Sequence, residues 1–328
     1  MVRVVPEKDL LAQIKLDLDA VADVERGFAE LDAGNAEVPP IMMIPVHHLD
    51  AEVDIKSAYI KGLPYLAVKV ASGFFKNPEK GLPSQSGQML VIDAETGFLK
   101  AVLLDNGYLT QVRTGAAGAV AARYLAPQNA DQVGVIGAGV QARFQMRALA
   151  LIRPVKTIRM FSLDGDAVRD AYVRDMEAEL RVKVVKAQSV EEVVKESAVV
   201  VTTTPSRKPF LEAEWLHPGL HLTTMGSDAE GKQEVDAQVA GAVDILACDL
   251  KSQSFRLGEL RSALAAGTIT ENSPVVELGS LVRKNHPGRK NDQEITMCDL
   301  TGVGVQDTMI SIRAFTIAEE KNLGITID

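Results

Sequence analysis

Three charged residues occupy positions from which they could act on a small anionic molecule. Lys69 interrupts the apolar run Tyr65–Val70, which alternates in the manner of a strand. Arg113 lies at the head of the small-residue segment Leu109–Ala126, beside Thr110 and Thr114. A guanidinium at a helix start makes a natural carboxylate clamp. Asp228 follows the apolar run Leu220–Thr224 through Met225-Gly226-Ser227, and a carboxylate at the end of a strand can hold or move a proton. Each also has a plain structural reading. Lys69 could be an edge lysine whose ammonium reaches solvent, Arg113 half of a surface salt bridge, and Asp228 a turn or capping aspartate. Residue type alone leaves both readings open.

A second feature has a more definite chemistry. Val133–Arg147 begins with an apolar run, turns through Gly137-Ala138-Gly139, and continues as an amphipathic helix carrying Phe144, Met146, Ala148 and Leu149. This is Gly-x-Gly-x-x-Ala between a strand and a helix, the dinucleotide-binding arrangement. Gly137 permits the turn, Gly139 admits a pyrophosphate to the backbone, and Ala142 lets helix and strand pack closely. The helix N-terminus offers free N–H groups to the anion. Cofactor choice then rests on the end of the next strand, where Ser162 and Asp164 stand with no arginine adjacent. An acidic residue there favours NAD, with NADP as the alternative. The cofactor set is Gly137, Gly139, Val140, Gln141, Ala142, Thr114, Ser162, Asp164, Thr203, Met225 and Gly226.

The elements that must position these groups fall into two rhythms. Residues 17–33 read as a helix capped by Asp17 or Asp19 and ended by Gly34, with Val21, Val24, Phe28 and Leu31 on one face. From Val53 to Leu104 the signals are for strands, with a hairpin turn at Ala94-Glu95-Thr96-Gly97. After Val133, apolar runs at 157–161, 182–185, 198–201, 220–224 and 243–247 alternate with helical or loop segments. That alternation predicts an α/β chain with a Rossmann-type doubly wound parallel sheet, preceded by a β-rich domain. A second glycine-rich loop, Thr301–Asp307, leads into a last helix over about 307–321.

The chain has 328 residues, long enough for about two domains, and a net charge of -9, which speaks against general nucleic-acid binding. Cys248 and Cys298 give neither a disulfide framework nor a zinc spacing, and the five histidines no metal-ligand pattern. No Gly-x-Ser-x-Gly elbow supports hydrolase chemistry. No apolar run is long enough to span a membrane, and no signal-peptide core follows the N-terminus. The expectation is a cytoplasmic protein.

Several segments, in order along nearly the whole chain, resemble the ornithine cyclodeaminase/μ-crystallin superfamily. They are Leu109-Thr110-x-x-Arg113-Thr114-Gly115-Ala116-Ala117, Gly137–Ala142, Met225-Gly226-Ser227-Asp228 with Lys232 and Glu234, and Gly302-Val303-Gly304-Val305-Gln306-Asp307. The resemblance implies a Rossmann domain at 119–307. It also implies a substrate-binding and dimerisation domain of β-rich α+β type built from 1–118 and 308–328. A nicotinamide cofactor, a homodimer and a small imino or amino acid substrate follow from it. By position, Lys69 and Arg113 would hold the substrate carboxylate and Asp228 would be the general acid/base. The chain departs from the ornithine-specific pattern in two places. Where those enzymes carry an acidic residue for the distal amino group, simple spacing puts Lys56, and a short gap would put Asp54; a lysine there would attract a second carboxylate or carbonyl oxygen instead. Ile41-Met42-Met43 stands where an arginine is expected. The wording of 53–70, 81–89 and 103–127 is most similar to the ectoine-utilisation branch. The expected activity is NAD(P)H-dependent reduction of a small imino acid, with a cyclodeaminase and a non-catalytic binder of cofactor and small ligand as rivals.

Overall fold

The computed structural model describes residues 1–328, apart from the side chain of Pro78. The first part of the chain is mostly strands: β1 (Val2–Pro6), β2 (Ala36–Glu37), β3 (Met42–Val46), β4 (Ala51–Ile60), β5 (Tyr65–Phe74), β6 (Gln85–Asp93) and β7 (Leu99–Leu104). Between β1 and β2 lies the helix Leu18–Asp32, whose first turn is closed by Asp17 accepting from the Ala20 N–H. The helix Tyr108–Leu125 follows, and Pro127 stands just beyond it. Then come β8 (Gln132–Ile136), β9 (Thr157–Phe161), β10 (Lys183–Lys186), β11 (Val199–Thr202), β12 (His221–Thr224), β13 (Ile245–Cys248), β14 (Val275–Glu277) and β15 (Thr296–Asp299). The helix Gly304–Glu320 and β16 (Ile325–Ile327) end the chain.

Two compact units result, Met1–Arg113 with Val303–Asp328, and Thr114–Gly302. The sequence-based junctions at 118/119 and 307/308 therefore move to 113/114 and 302/303. The reason is local. The last helix begins against the first unit's sheet, so close that a Cβ on Gly304 would collide with the Ser57 carbonyl. One turn later Thr308 donates to the Ala58 carbonyl at 2.8 Å and accepts from the Ala67 N–H at 3.3 Å.

In the first unit the sheet runs β16-β1-β7-β6-β5-β4-β2, with β3 also on β4. Among the described residues only the β1–β7 pairing of this sheet is parallel. The helix Gly304–Glu320 packs on β4 and β5 and against the helix Leu18–Asp32. Arg313 joins the two helices through Asp17 and Asp23, both at 3.2 Å. In the second unit the order is β10-β9-β8-β11-β12-β15-β13-β14, parallel throughout. Its strands are apolar because helices cover both faces of such a sheet; Val133, Val135, Ile158, Val199 and Val200 are fully buried. Two of its strands escape the periodicity. β14 has three residues, and β15, Thr-Met-Cys-Asp, is only half apolar yet inserts between β12 and β13. Among the described residues no helix is long and apolar enough to cross a membrane.

Candidate functional site: a dinucleotide cradle and a buried cation pair

The predicted cofactor residues gather at the C-terminal ends of four adjacent strands, β9, β8, β11 and β12. That is where ligands bind in open α/β sheets. Gly137 has φ of 117°, and a Cβ there would collide with the Thr203 hydroxyl, so the turn after β8 excludes any other residue. The Thr203 N–H and hydroxyl both donate to the Ile136 carbonyl, at 2.9 and 3.1 Å, which fixes the end of β11 beside that turn. Gly139 is different: a Cβ would meet nothing within 4 Å. Open space therefore lies at the head of the helix Val140–Ile152, where the N–H groups of Val140 and Gln141 begin the helix and Val140 is exposed. Ala142 is fully buried against the sheet. This geometry fits a pyrophosphate. At the end of β9, Ser162 donates to the Asp164 carboxylate at 2.5 Å, so the two predicted ribose-side residues act as a pair. Thr114 presents its carbonyl to Gln145 Nε2 at 2.9 Å, tying the helix Tyr108–Leu125 to the helix that starts at the cradle.

Met225 and Gly226 continue from β12 and are held by a residue to which sequence reading gave no role. Glu234 is fully buried, and its carboxylate accepts from the Thr202 hydroxyl (2.6 Å), the Thr204 N–H (2.6 Å) and hydroxyl (2.8 Å), and the Gly226 N–H (2.8 Å). It thus staples the tip of β11 to the tip of β12. Burial raises its carboxyl pKa, against the lowering effect of these donors. Glu259 in turn accepts from the Glu234 N–H at 2.7 Å. Asp228, two residues beyond Gly226, is half exposed and pairs with Lys232 Nζ at 2.6 Å. The loop behind it is closed by Ser227 donating to the Lys232 carbonyl at 2.9 Å.

The first unit holds the other predicted group. Lys69 lies on β5 between β4 and β6, paired in register with Lys56 and Met89. It is 2% exposed on a strand flanked on both sides, so it is not an edge lysine whose ammonium reaches solvent. Arg113 is 5% exposed, so the surface-salt-bridge reading fails too. Both cations converge on one carboxylate, that of Asp307, with Lys69 Nζ at 3.1 Å and Arg113 Nε at 3.0 Å. Arg113 Nη1 also donates to Gln306 Oε1 at 2.8 Å. Burial, then the neighbouring Arg113 charge, brings the Lys69 pKa down to about 7. Burial pushes the Asp307 carboxyl up, but Arg113, Lys69 and Lys56 together hold it below its ordinary value. Lys56, 8% exposed, lies on the same face of the sheet as Lys69.

The structure thus brings Lys56, Lys69 and Arg113 together, and gathers the cofactor set around the ends of four strands. It places Asp228 on the loop that Glu234 anchors. Sequence reading missed Asp307, Gln306, Glu234 and Glu259 as working residues. The first three stood inside quoted motifs, and the signal for Asp307 was its place in the first turn of a helix opened by a glycine.

A parallel-sheet dinucleotide cradle joined in one chain to a mixed-sheet unit with a buried cation pair defines a two-domain α/β protein of nicotinamide-enzyme type. The chain belongs to the ornithine cyclodeaminase/mu-crystallin family, whose model matches residues 3–321. It is 44% identical to a protein of Sinorhizobium fredii described as an uncharacterized cyclodeaminase, over 98% of this chain and 97% of that one. The structure of Thermococcus litoralis Δ1-pyrroline-2-carboxylate reductase in complex with NADH and L-proline superposes with a TM-score of 0.94 at 28% identity, covering 99% of this chain and 100% of that one. The iminosuccinate reductase of Paracoccus denitrificans in complex with NAD+ gives a TM-score of 0.90 at 31% identity, covering 100% and 99%.

Proposed function

We propose that this protein is an NAD(H)-dependent imine reductase acting on a small imino acid, in the breakdown of ectoine, hydroxyectoine or a related amino acid. The observation that carries the reading is the pair of buried cations, Lys69 and Arg113, sharing a single carboxylate in a chain that also builds a dinucleotide cradle. Two cations on one anion leave a net positive charge that a substrate carboxylate neutralises. Lys56, the register partner of Lys69, extends that charge along the sheet and favours a substrate with a second oxygen-bearing group. Asp228 supplies the proton to the imine nitrogen. When bound, a reduced nicotinamide supplies the hydride. Asp164, engaged by Ser162, would accept from the ribose hydroxyls of a bound cofactor and disfavour an added phosphate, which supports NAD over NADP. The ectoine assignment rests on the resemblance of 53–70, 81–89 and 103–127. A homodimer is supported by β3, whose Met42, Met43 and Ile44 side chains are exposed.

The test is NADH and NADPH oxidation by the purified protein with freshly generated imino acids, including cyclic, monocarboxylic and dicarboxylic members. One imine should consume NADH stoichiometrically, and Asp228→Asn should lower kcat by about 10²–10⁴-fold while leaving NADH affinity in place. Likeness to the Sinorhizobium cyclodeaminase favours a second reading, in which NAD is retained and ammonia is released without net redox change. Ammonia release from diamino acids with no cofactor turnover would establish it in place of the reductase. Tight cofactor binding with neither activity would leave a non-catalytic binder.

A further inference from the structure

We propose that Asp307 is a positioning residue that sets Arg113 and Lys69 as a single charged grip for the substrate carboxylate. The proposal rests on the imine-reductase reading for the identity of the substrate, and on geometry alone for the role of Asp307.

Asp307 is wholly buried, and its two oxygens are divided between the two cations: Oδ2 faces Lys69 and Oδ1 faces Arg113. Gln306 holds the same guanidinium from one side at Nη1, which leaves the Nη2 amine outside these contacts. A planar guanidinium hydrogen-bonded at Nη1 and held at ion-pair distance from a carboxylate at Nε is restricted in orientation, which is what recognition of a planar carboxylate needs. The anchor is itself fixed. Gly304 allows the helix start to lie against the Ser57 carbonyl, Thr308 bonds to Ala58 and Ala67, and Gln306 Oε1 also accepts from the Val303 N–H at 3.3 Å. A buried ion pair is a poor device for stability, because desolvation offsets most of the attraction. Its value lies in holding two cations where burial would otherwise discharge or displace them. The charged and titratable groups around Lys69 are Lys56 and Asp54 from β4, Asp105 ahead of the helix Tyr108–Leu125, Arg113 from that helix, and Asp307. Asp307 is the one that contacts Lys69 directly as an ion pair. With Lys69 already brought down to about 7, losing that partner moves its titration lower still.

Asp307→Asn keeps the shape and removes the charge. Two readouts apply. In steady-state kinetics the KM for the imino acid should rise at least about tenfold with kcat little changed, and the pH at which KM begins to climb should fall. In 15N NMR of the lysine side chains, with Lys69 assigned through Lys69→Arg, its titration midpoint should fall by one pH unit or more. Asp307→Glu restores the charge and should bring the midpoint back even where KM stays raised. A lowered Tm with KM, pH profile and midpoint all unchanged would overturn the proposal and leave Asp307 a structural residue. The NMR titration needs no turnover. If the wild type fails to reduce any imine, the functional reading falls while the midpoint still decides the role of Asp307.

Discussion

Both units bury ionisable groups, and they do it in opposite ways. In the first, the Lys69 and Arg113 side chains stand 3.1 and 3.0 Å from one carboxylate, that of Asp307. In the second, Glu234, Glu259, Asp299 and Asp249 are all buried, and their bonds come from backbone N–H groups and hydroxyls. Burial lifts every one of them, Glu259 to about 9 and Asp299 to about 7. The first cluster carries excess charge, and a buried excess is useful only when a ligand completes it. The second meets its buried acids with neutral donors rather than with cations. It works as an internal frame, with Asp249 binding the N–H groups of Thr301 and Gly302 and Glu234 binding those of Thr204 and Gly226. High burial of acids and bases therefore does not by itself mark a site. The sign and balance of the charge do.

The largest test of this contrast is Arg113→Ala. It leaves Lys69 as the sole direct partner of Asp307 and opens the carboxylate grip. Removing one member of a buried charged set costs about 3–5 kcal/mol. The expected outcome is a KM for the imino acid raised by at least about a hundredfold, with NADH affinity unchanged and a lower urea midpoint. A KM within a factor of two of wild type would mean that the cluster holds the fold and not a ligand, and the contrast would vanish. Next in size is Glu234→Ala, which strands the Thr204 and Gly226 N–H groups. At about 1–3 kcal/mol for each buried donor left unpaired, the loss in stability should be a few kcal/mol. Because the freed loops carry Thr203, Met225 and Asp228, NADH affinity and kcat should fall together. Thermal unfolding and fluorescence titration with NADH measure the two effects. A loss of stability with NADH affinity unchanged would show that the frame does not shape the cradle.

Much of this was legible in the chain, for reasons that differ by residue. The strand-turn-helix at 133–147 announced itself because each constraint, the turn, the anion approach and the close packing, demands a small residue at a fixed spacing. The helix at Leu18–Asp32 carried its cap at Asp17, and β9 fell at the predicted 157–161 because five consecutive residues carry the pattern. β15 was hidden, since a strand buried by its neighbours needs no periodicity of its own. Lys69 and Arg113 were visible as charges, but their burial was not, and burial is what separates a grip from a surface ion pair. Asp307 lies 194 residues from Arg113 along the chain (307 − 113), and their meeting depends on the close approach at Gly304. Glu234 stood in a quoted motif without a role and Glu259 drew no attention, because the burial of an acid has no sequence signature.

The smallest predicted effect is the most specific to the second cluster. Glu259 titrates at about 9 in the folded protein, against an ordinary value of 4.5. Burial is the first cause and the charge of Asp299 the second. Between those two values the unfolded chain has released a proton that the native state still holds. Native stability therefore falls as pH rises through that window. Glu259→Gln cannot ionise, and its Oε1 can still accept from the Glu234 N–H as the acid does. The variant should match wild type in urea midpoint near pH 5 and exceed it near pH 8, by about 1–3 kcal/mol. A difference between the two proteins that stays flat with pH would place a charged Glu259 in the native core. The second unit would then bury ions as the first does, and the frame would be a charged cluster still waiting for its counter-ion.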